Sequence, residues 1–444
     1  MKTVLERANG SALDLFIDKD FPITSVALLS PHVQKIKHLE FNLTHWEDIS
    51  KFSEVDSGPL PLLRTLKIIP GPMAEDDNQP VTISPPSPPL FSNAINLEEF
   101  TLYSFPFQLL NHFVFPRLTT FHLRTSAATG SRASVLFDFL KASPTLRTVD
   151  IDTIDSIVPE DIPQQMLVVL PNVEAFSLAF GSKDVYNVAA HISCPRAKNT
   201  SLMHGISDVD LLPRQEIFPA SVLLNTIIHQ YTRSPVEEVT LIINPAFDTC
   251  SLTFQSSDTS TIRLVFQVFE VGDYEDELWV EMSFDEISCE AFSQGLDAIR
   301  IHPQLSHVKR LRFGYTVYTM NSYRTIRMTT DLGVLFGSMG PLDKLTIEDS
   351  CLYPHLCGYG DVSGLKKQIV FPPIKELVIL HIAMDVGEAC ASGIVELAKS
   401  QHAKGMPFEC VTVRVRGLPA MLAEGLRPWV RTVDCREEGL VTEA

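Results

Sequence analysis

The chain has 444 residues, 45% apolar and 20% charged, which is enough apolar side chain for a sizeable core. That length implies about three domains unless a repeat makes one long body. A formal net charge of -18 opposes nonspecific binding to nucleic acid or anionic membrane, both of which reward clustered Lys and Arg.

The opening residues, MKTVLERANGSALDLF, break their apolar run with Glu6, Arg7 and Asn9, so no signal-peptide core is expected. No stretch approaches the roughly 18 apolar residues of a membrane span. The 8 cysteines contain no C-x-x-C pair, which fits reduced, intracellular usage in cytoplasm or nucleus.

Along the chain one grid recurs, apolar-x-x-apolar-x-apolar. It begins weakly at Ala12 (ALDLFI), then at Ile36 (IKHLEF) and Leu63 (LRTLKI). The stretch Pro70 to Pro89 interrupts it with seven prolines and an acidic cluster, and is expected to be a disordered loop. Ser84 and Ser87 each precede a proline there, a pattern open to proline-directed phosphorylation.

The grid resumes at Leu97 (LEEFTL), Leu118 (LTTFHL), Leu146 (LRTVDI), Val173 (VEAFSL) and, weakly, Ala197 (AKNTSL). Its last apolar positions alternate with polar ones, the period of a half-buried strand. Entrances such as FPRL, SPTL, LPNV and CPRA place a proline just before the strand, where no preceding helix can continue. Helical spacing lies between strands: Val135, Leu136, Phe139 and Leu140 share one face, as do Val222, Leu223, Ile227 and Ile228.

After VEEVTL at Val236 comes a 72-residue gap before VKRLRF at Val308. Within it SLTFQ, TIRLVFQVF and ELWVEMSF alternate like strands, so residues 250–302 read as an antiparallel meander and helix inserted in place of, or on, a repeat's helical element. Further copies start at Leu342 (LDKLTI), Ile374 (IKELVI), Cys410 (CVTVRV) and Val430 (VRTVDC).

Strand, turn, helix and proline form one supersecondary unit that cannot bury its apolar face alone. Start-to-start spacings of mostly 21 to 39 residues give an α/β leucine-rich-repeat solenoid over 1–444: an irregular horseshoe with a parallel concave sheet and convex helices. The Asn or Cys that often follows such a grid by three residues is replaced here by Phe105, Ser126, Ile154 and Gly181, so no regular turn ladder is expected.

LERANGSALDLFID, LLSPHVQKIKHLEF, GPLPLLRTLKI, LFSNAINLEEFTL, FPRLTTFHL, LWVEMSF and LDKLTI together resemble the leucine-rich-repeat tails of the large F-box protein family of mushroom-forming fungi. The resemblance covers essentially the whole chain and implies a substrate-recognition role in ubiquitination. In that family an F-box opening with L-P-x-E-[IL] docks a Skp1-type adaptor; this sequence begins where the first repeat is expected, so an adaptor is a partner only if an F-box lies upstream.

Chemistry-bearing motifs are weak. GIVELAKS (Gly393 to Ser400) has phosphate-loop spacing, but Ala398 replaces the second glycine and the run is helical. CLYPHLC gathers Cys351, His355 and Cys357 without a fourth zinc ligand. The expectation is a noncatalytic protein without metal or cofactor, acting on a protein substrate or partner; an interaction scaffold with no ubiquitin role is the alternative. Arg310, Arg312 and Lys344 fall on consecutive grid copies and form a local basic patch suited to an acidic or phosphorylated peptide. Tyr103 and His122 form a second recognition spot.

Overall fold

Each grid copy forms a β-strand. The computed structural model describes residues 11–18, 30–43, 59–70, 91, 93–103, 107–125, 132–153, 166–206, 218–244, 249–268, 293–300, 307–315, 332–348, 371–382, 388–415 and 419–437. The segment 71–89, the ELWVEMSF strand, and Cys351, His355 and Cys357 lie outside them. The chain divides into two compact units, Met1–Gly205 and Ile206–Ala444.

The first unit contains β1 (Leu13–Ile17), β2 (Ile36–Leu43), β3 (Thr65–Pro70), β4 (Glu99–Tyr103), β5 (Thr120–Thr125), β6 (Thr148–Thr153), the short β7 (Val168–Val169), β8 (Ala175–Phe180), the short β9 (Ile192–Ser193) and β10 (Asn199–Ile206). Apart from β7 and β9, which pair with each other, they follow one another across a sheet in chain order, all parallel. The third grid residues Thr65, Glu99, Thr120, Thr148, Ala175 and Asn199 stand in one row. Register is therefore constant although these copies start 21 to 34 residues apart.

The second unit contains β11 (Val236–Asn244), β12 (Thr249–Ser256), β13 (Thr261–Val268), β14 (Arg310–Tyr315), β15 (Leu342–Glu348), β16 (Ile374–Ile382), β17 (Cys410–Val415) and β18 (Thr432–Glu437). Its order is β13-β12-β11-β14-β15-β16-β17-β18, antiparallel within the first three strands and parallel from β11 onward. The inserted strands β12 and β13 extend the sheet beside β11; they do not sit among the helices. Backbone explains this placement, because a hairpin there supplies ladder partners for the side of β11 that faces away from β14.

Seven helices are described: α1 (Ala133–Ala142), α2 (Asp184–Ala190), α3 (Ser221–Tyr231), α4 (293–300), α5 (332–338), α6 (Glu388–Ala403) and α7 (Pro419–Leu426). In α1 the buried face is Ala133, Leu136, Phe137, Phe139 and Leu140. In α3 it is Leu224, Ile227, Ile228 and Tyr231, and Val222 is 77% exposed. The sequence reading started that stripe at Val222; the i, i+3, i+4, i+7 set beginning at Leu224 wins because it brings the large Tyr231 ring inside. Gly393 to Ser400 lies wholly within α6, with Ala398 buried, so it offers no loop of free amides to phosphate.

The core of the first unit is aromatic. Phe100 of β4 has Phe113 at 4.9 Å, Phe115 at 5.0 Å and Phe121 at 6.0 Å, and Phe121 meets Phe139 of α1 at 4.5 Å. All five rings are almost fully buried. Phe100→Ala is expected to cost about 3–5 kcal/mol because it opens a cavity between strand and helix. Urea unfolding would check this against Val222→Ala, an exposed change expected to stay within about 0.5 kcal/mol.

Candidate functional site

Alternate residues of each strand turn away from the core, and in the second unit these positions form three rows. The first reads Glu238, Arg310, Lys344, Glu376, Cys410; the second reads Thr240, Arg312, Thr346, Val378, Thr412; the third holds Ile242, Gly314, Glu348 and Leu380. The intervening Leu311, Phe313, Leu345, Ile347, Leu377 and Ile379 are buried on the other side. The period of two thus assigns the polar outward positions and the core to different faces of the same strands.

A cavity of about 680 Å³ opens on these rows, lined from β11, β14, β15 and β16. Its cations and carboxylates are paired. Arg310 Nε lies 2.9 Å from Glu238 Oε2, Arg312 Nη2 lies 2.6 and 2.8 Å from the two oxygens of Glu348, and Lys344 Nζ lies 3.0 Å from Glu376 Oε1. At the strand entrances Lys375 Nζ lies 2.6 Å from Asp343 Oδ1. The three cations expected to form a basic patch do come together, but carboxylates from the flanking strands and from the end of β15 surround them. The sequence places Glu238 and Glu376 on the same outward face as these cations, but grouping the consecutive cations alone left out the pairing with those acids. Val378 and Thr346 are nearly buried and give the floor an apolar part; at Gly314 an added Cβ would lie 3.6 Å from Glu348 Oε2, an ordinary contact.

Two guanidinium hydrogens are left over. The Nε atoms of Arg310 and Arg312 are buried without a hydrogen-bond partner; the short Arg310–Glu238 approach lacks hydrogen-bond alignment. Each guanidinium carries five N–H donors, so one carboxylate does not saturate it.

Tyr103 and His122 sit in the first unit, on the outward face of β4 and β5. Thr101 pairs with His122 and Tyr103 with Arg124, which makes Tyr103 and His122 diagonal neighbours. Lys67 Nζ stands 5.7 Å from the Tyr103 ring centroid, within cation–π reach. His122 Nδ1 lies 3.4 Å from Asp150 Oδ2. The two neighbouring carboxyls differ: the His122 hydrogen bond leads in holding Asp150 below its ordinary value, with a lesser contribution from the Ser177 hydroxyl, whereas burial pushes Asp152 up.

A turn ladder is also present that the sequence reading did not anticipate. Asn96 Nδ2 donates to Pro61 O at 2.9 Å, Thr145 Oγ1 to Pro116 O at 3.1 Å and Asn172 Nδ2 to Pro144 O at 3.2 Å. Arg117 adds a 2.7 Å bond to Asn96 Oδ1. The polar residues lie just before the grid instead of three residues after it, and the signal was the recurrent polar residue immediately ahead of the grid, which follows a proline at Thr145 and Asn172 and Ile95 at Asn96.

Among the described residues no group of three or more His, Cys, Asp or Glu is arranged for a metal ion, and no helix is long and apolar enough to cross a membrane. Cys194 and Cys250 are buried free thiols whose ionisation burial suppresses. Fold and site define a mixed α/β protein with a mostly parallel sheet and a polar, ion-paired outer face. No family model and no curated protein matches the chain.

The two aspartates yield opposite pH effects. Asp150 has a folded pKa below its unfolded one, so its stabilisation is complete at neutral pH and is lost as pH falls through the acidic range. Asp152 has a raised folded pKa, so its ionisation above that range opposes folding. Asp150→Asn should lower Tm at pH 7 and Asp152→Asn should raise it. Both differences should shrink toward pH 3, as read by thermal melts at the two pH values.

Proposed function

We propose that the chain is a leucine-rich-repeat solenoid that recognises another protein without catalysis, as the substrate-binding region of an F-box ubiquitin-ligase receptor does. The observation that carries this reading is the cavity of about 680 Å³ on the outward face of β11, β14, β15 and β16, lined by side chains delivered in register from successive repeats. Repeats that differ only at outward positions present an adjustable contact surface while keeping one core pattern.

The chemistry of the lining supports binding. Every charged side chain lining the cavity is held in an ion pair, an arrangement that orders Arg and Lys before a partner arrives and lowers the entropy lost on association. The ubiquitin-ligase part of the reading rests on the resemblance of the repeat sequence to the F-box tails.

A photo-cross-linking residue introduced at Thr240 or Thr412, both on the outward face, is expected to trap a discrete protein in cells. The same residue at Val222 or Met421, exposed on α3 and α7, is expected not to trap it. Equal trapping from both sides would remove the outward face as the recognition surface. Recovery of a Skp1-type adaptor with the full-length native protein is expected for a ligase receptor; repeated recovery of the partner without the adaptor would leave an interaction scaffold.

A further inference from the structure

We infer that two copies of the chain pair through the free edge of β1, antiparallel about a two-fold axis at Leu15, so that the sheets of two first units join. This interface is separate from the outward face and does not depend on what that face binds.

Among the described residues β1 (Leu13–Ile17) pairs with β2 alone. At the middle apolar position of the next five copies, Leu39, Leu66, Phe100, Phe121 and Val149 are at most 6% exposed; Leu15, at the same position in β1, is only half-buried, and Phe16 beside it is 57% exposed. Neighbouring strands show where the main chain of β1 points. Thr120 donates to Glu98 O, Thr148 to Thr119 O and Ala175 to Arg147 O, so outward residues turn their backbone groups to the strand before their own. In β1 the outward residues are Asp14 and Phe16, and the same pattern aims their N–H and C=O groups at the edge where no described strand lies. Edge strands are ordinarily defended by charge. The last strand of the second unit's sheet, β18, has Asp434, Arg436 and Glu437 among 6 residues, whereas β1 has Asp14 alone among 5.

The sequence of this edge, LDLFI, selects a second copy as its occupant. With the axis at Leu15, that residue faces itself, Leu13 faces Ile17 of the second copy and Asp14 faces its Phe16. Apolar residues then meet on the core side and no like charges are opposed. Asp14 and Phe16 exchange N–H···O bonds as a hydrogen-bonded pair, twice by symmetry, using the groups that point away from β2. Leu15 falls at a non-hydrogen-bonded pair, where Cα atoms approach to about 4.5 Å and side chains come closest. Moving the axis to Asp14 would set that carboxylate against its own counterpart, and moving it to Phe16 would set Asp14 against Asp18. An edge of 5 residues is small for an interface, so dimer and monomer are expected to exchange in roughly the micromolar range.

Sedimentation velocity on the full chain, from about 1 to about 100 µM, reads the association, and the wild type should approach a dimer limit as concentration rises. Phe16→Pro removes an N–H that faces the edge and none that β2 uses. It should weaken association by at least about tenfold with an unchanged melting profile, whereas Phe16→Ala, which keeps that N–H, should weaken it by about threefold or less. Leu15→Cys gives a second readout. Under mild oxidation it should form a disulfide from position 15 to position 15 of another copy, identified by peptide mapping, because the Cα spacing suits the bridge. Asp14→Cys, whose Cα would lie roughly 9 Å from its counterpart, should not. A wild type that stays monomeric at the highest concentration would overturn the proposal, as would association that Phe16→Pro leaves intact. If the proline variant melts at a lower temperature, the disulfide decides, and its absence overturns the pairing. A series of trimers and larger species would overturn it as well, because it indicates head-to-tail joining of β1 to β18 in an open filament.

Discussion

A backbone hydrogen bond at the entrance of each strand fixes the frame in which everything else is placed. The carbonyl of the second grid residue accepts from the N–H groups of the second and third residues of the next copy. Arg64 O takes Glu98 at 2.8 Å and Glu99 at 2.9 Å, Glu98 O takes Thr119 and Thr120, and Arg147 O takes Glu174 and Ala175. The same device recurs in the second unit, where Lys309 O takes Asp343 at 2.7 Å and Lys344 at 3.1 Å. Because the contact involves main chain only, it is indifferent to side chain and to the length of the connection. A one-residue slip would turn every apolar position outward, so the entrance bond and the core pattern enforce the same register.

Each entrance is tightened from within its own unit. Leu118 donates to Phe115 O and Ala197 donates to Cys194 O, three residues back, and the accepting residue of each turn is buried. The side-chain ladder of Asn96, Thr145 and Asn172 then ties one turn to the carbonyl of the previous one. The second grid residues add charge pairs along the same edge, Arg64 with Glu98, Glu174 with Lys198, Glu237 with Lys309 and Asp343 with Lys375. These exposed pairs contribute little stability individually, because solvent screens them. Their alternation of sign nevertheless opposes exchange of neighbouring repeats, because it would bring like charges together.

The strands were legible in the sequence because the grid records two things at once, a period of two and the position of the entrance. Even the weak copy ALDLFI carried both and became β1, whereas CVTVRV became β17 with Cys410 opposite Glu376, so its entrance lies two residues earlier, at Phe408. Helical faces were less legible: in α3 the apolar run starts before the helix turns inward, and only the bulk of Tyr231 decides which residues face the core. The site was legible as a set of positions but not as an electrostatic arrangement. Arg310, Arg312 and Lys344 were found by their grid numbers, yet Glu348 lies beyond the grid's last apolar residue and reaches Arg312 diagonally, a contact that row-by-row reading does not contain. The second unit's inserted strands were recognised by alternation alone, which says nothing of whether a hairpin joins a sheet edge or covers a face.

Pairing the cations with carboxylates changes what this face can discriminate. Three unpaired cations would attract any polyanion, and the acidic remainder of the chain would oppose it only weakly at ordinary ionic strength, where screening acts over about 8 Å. With Glu238, Glu348 and Glu376 in place, each cation is matched by a carboxylate and long-range attraction is cancelled. Any charged group that approaches meets a cation and a carboxylate at similar distance. Charge neutralisation on this face therefore removes long-range steering and leaves short-range geometry to decide which contacts are favourable.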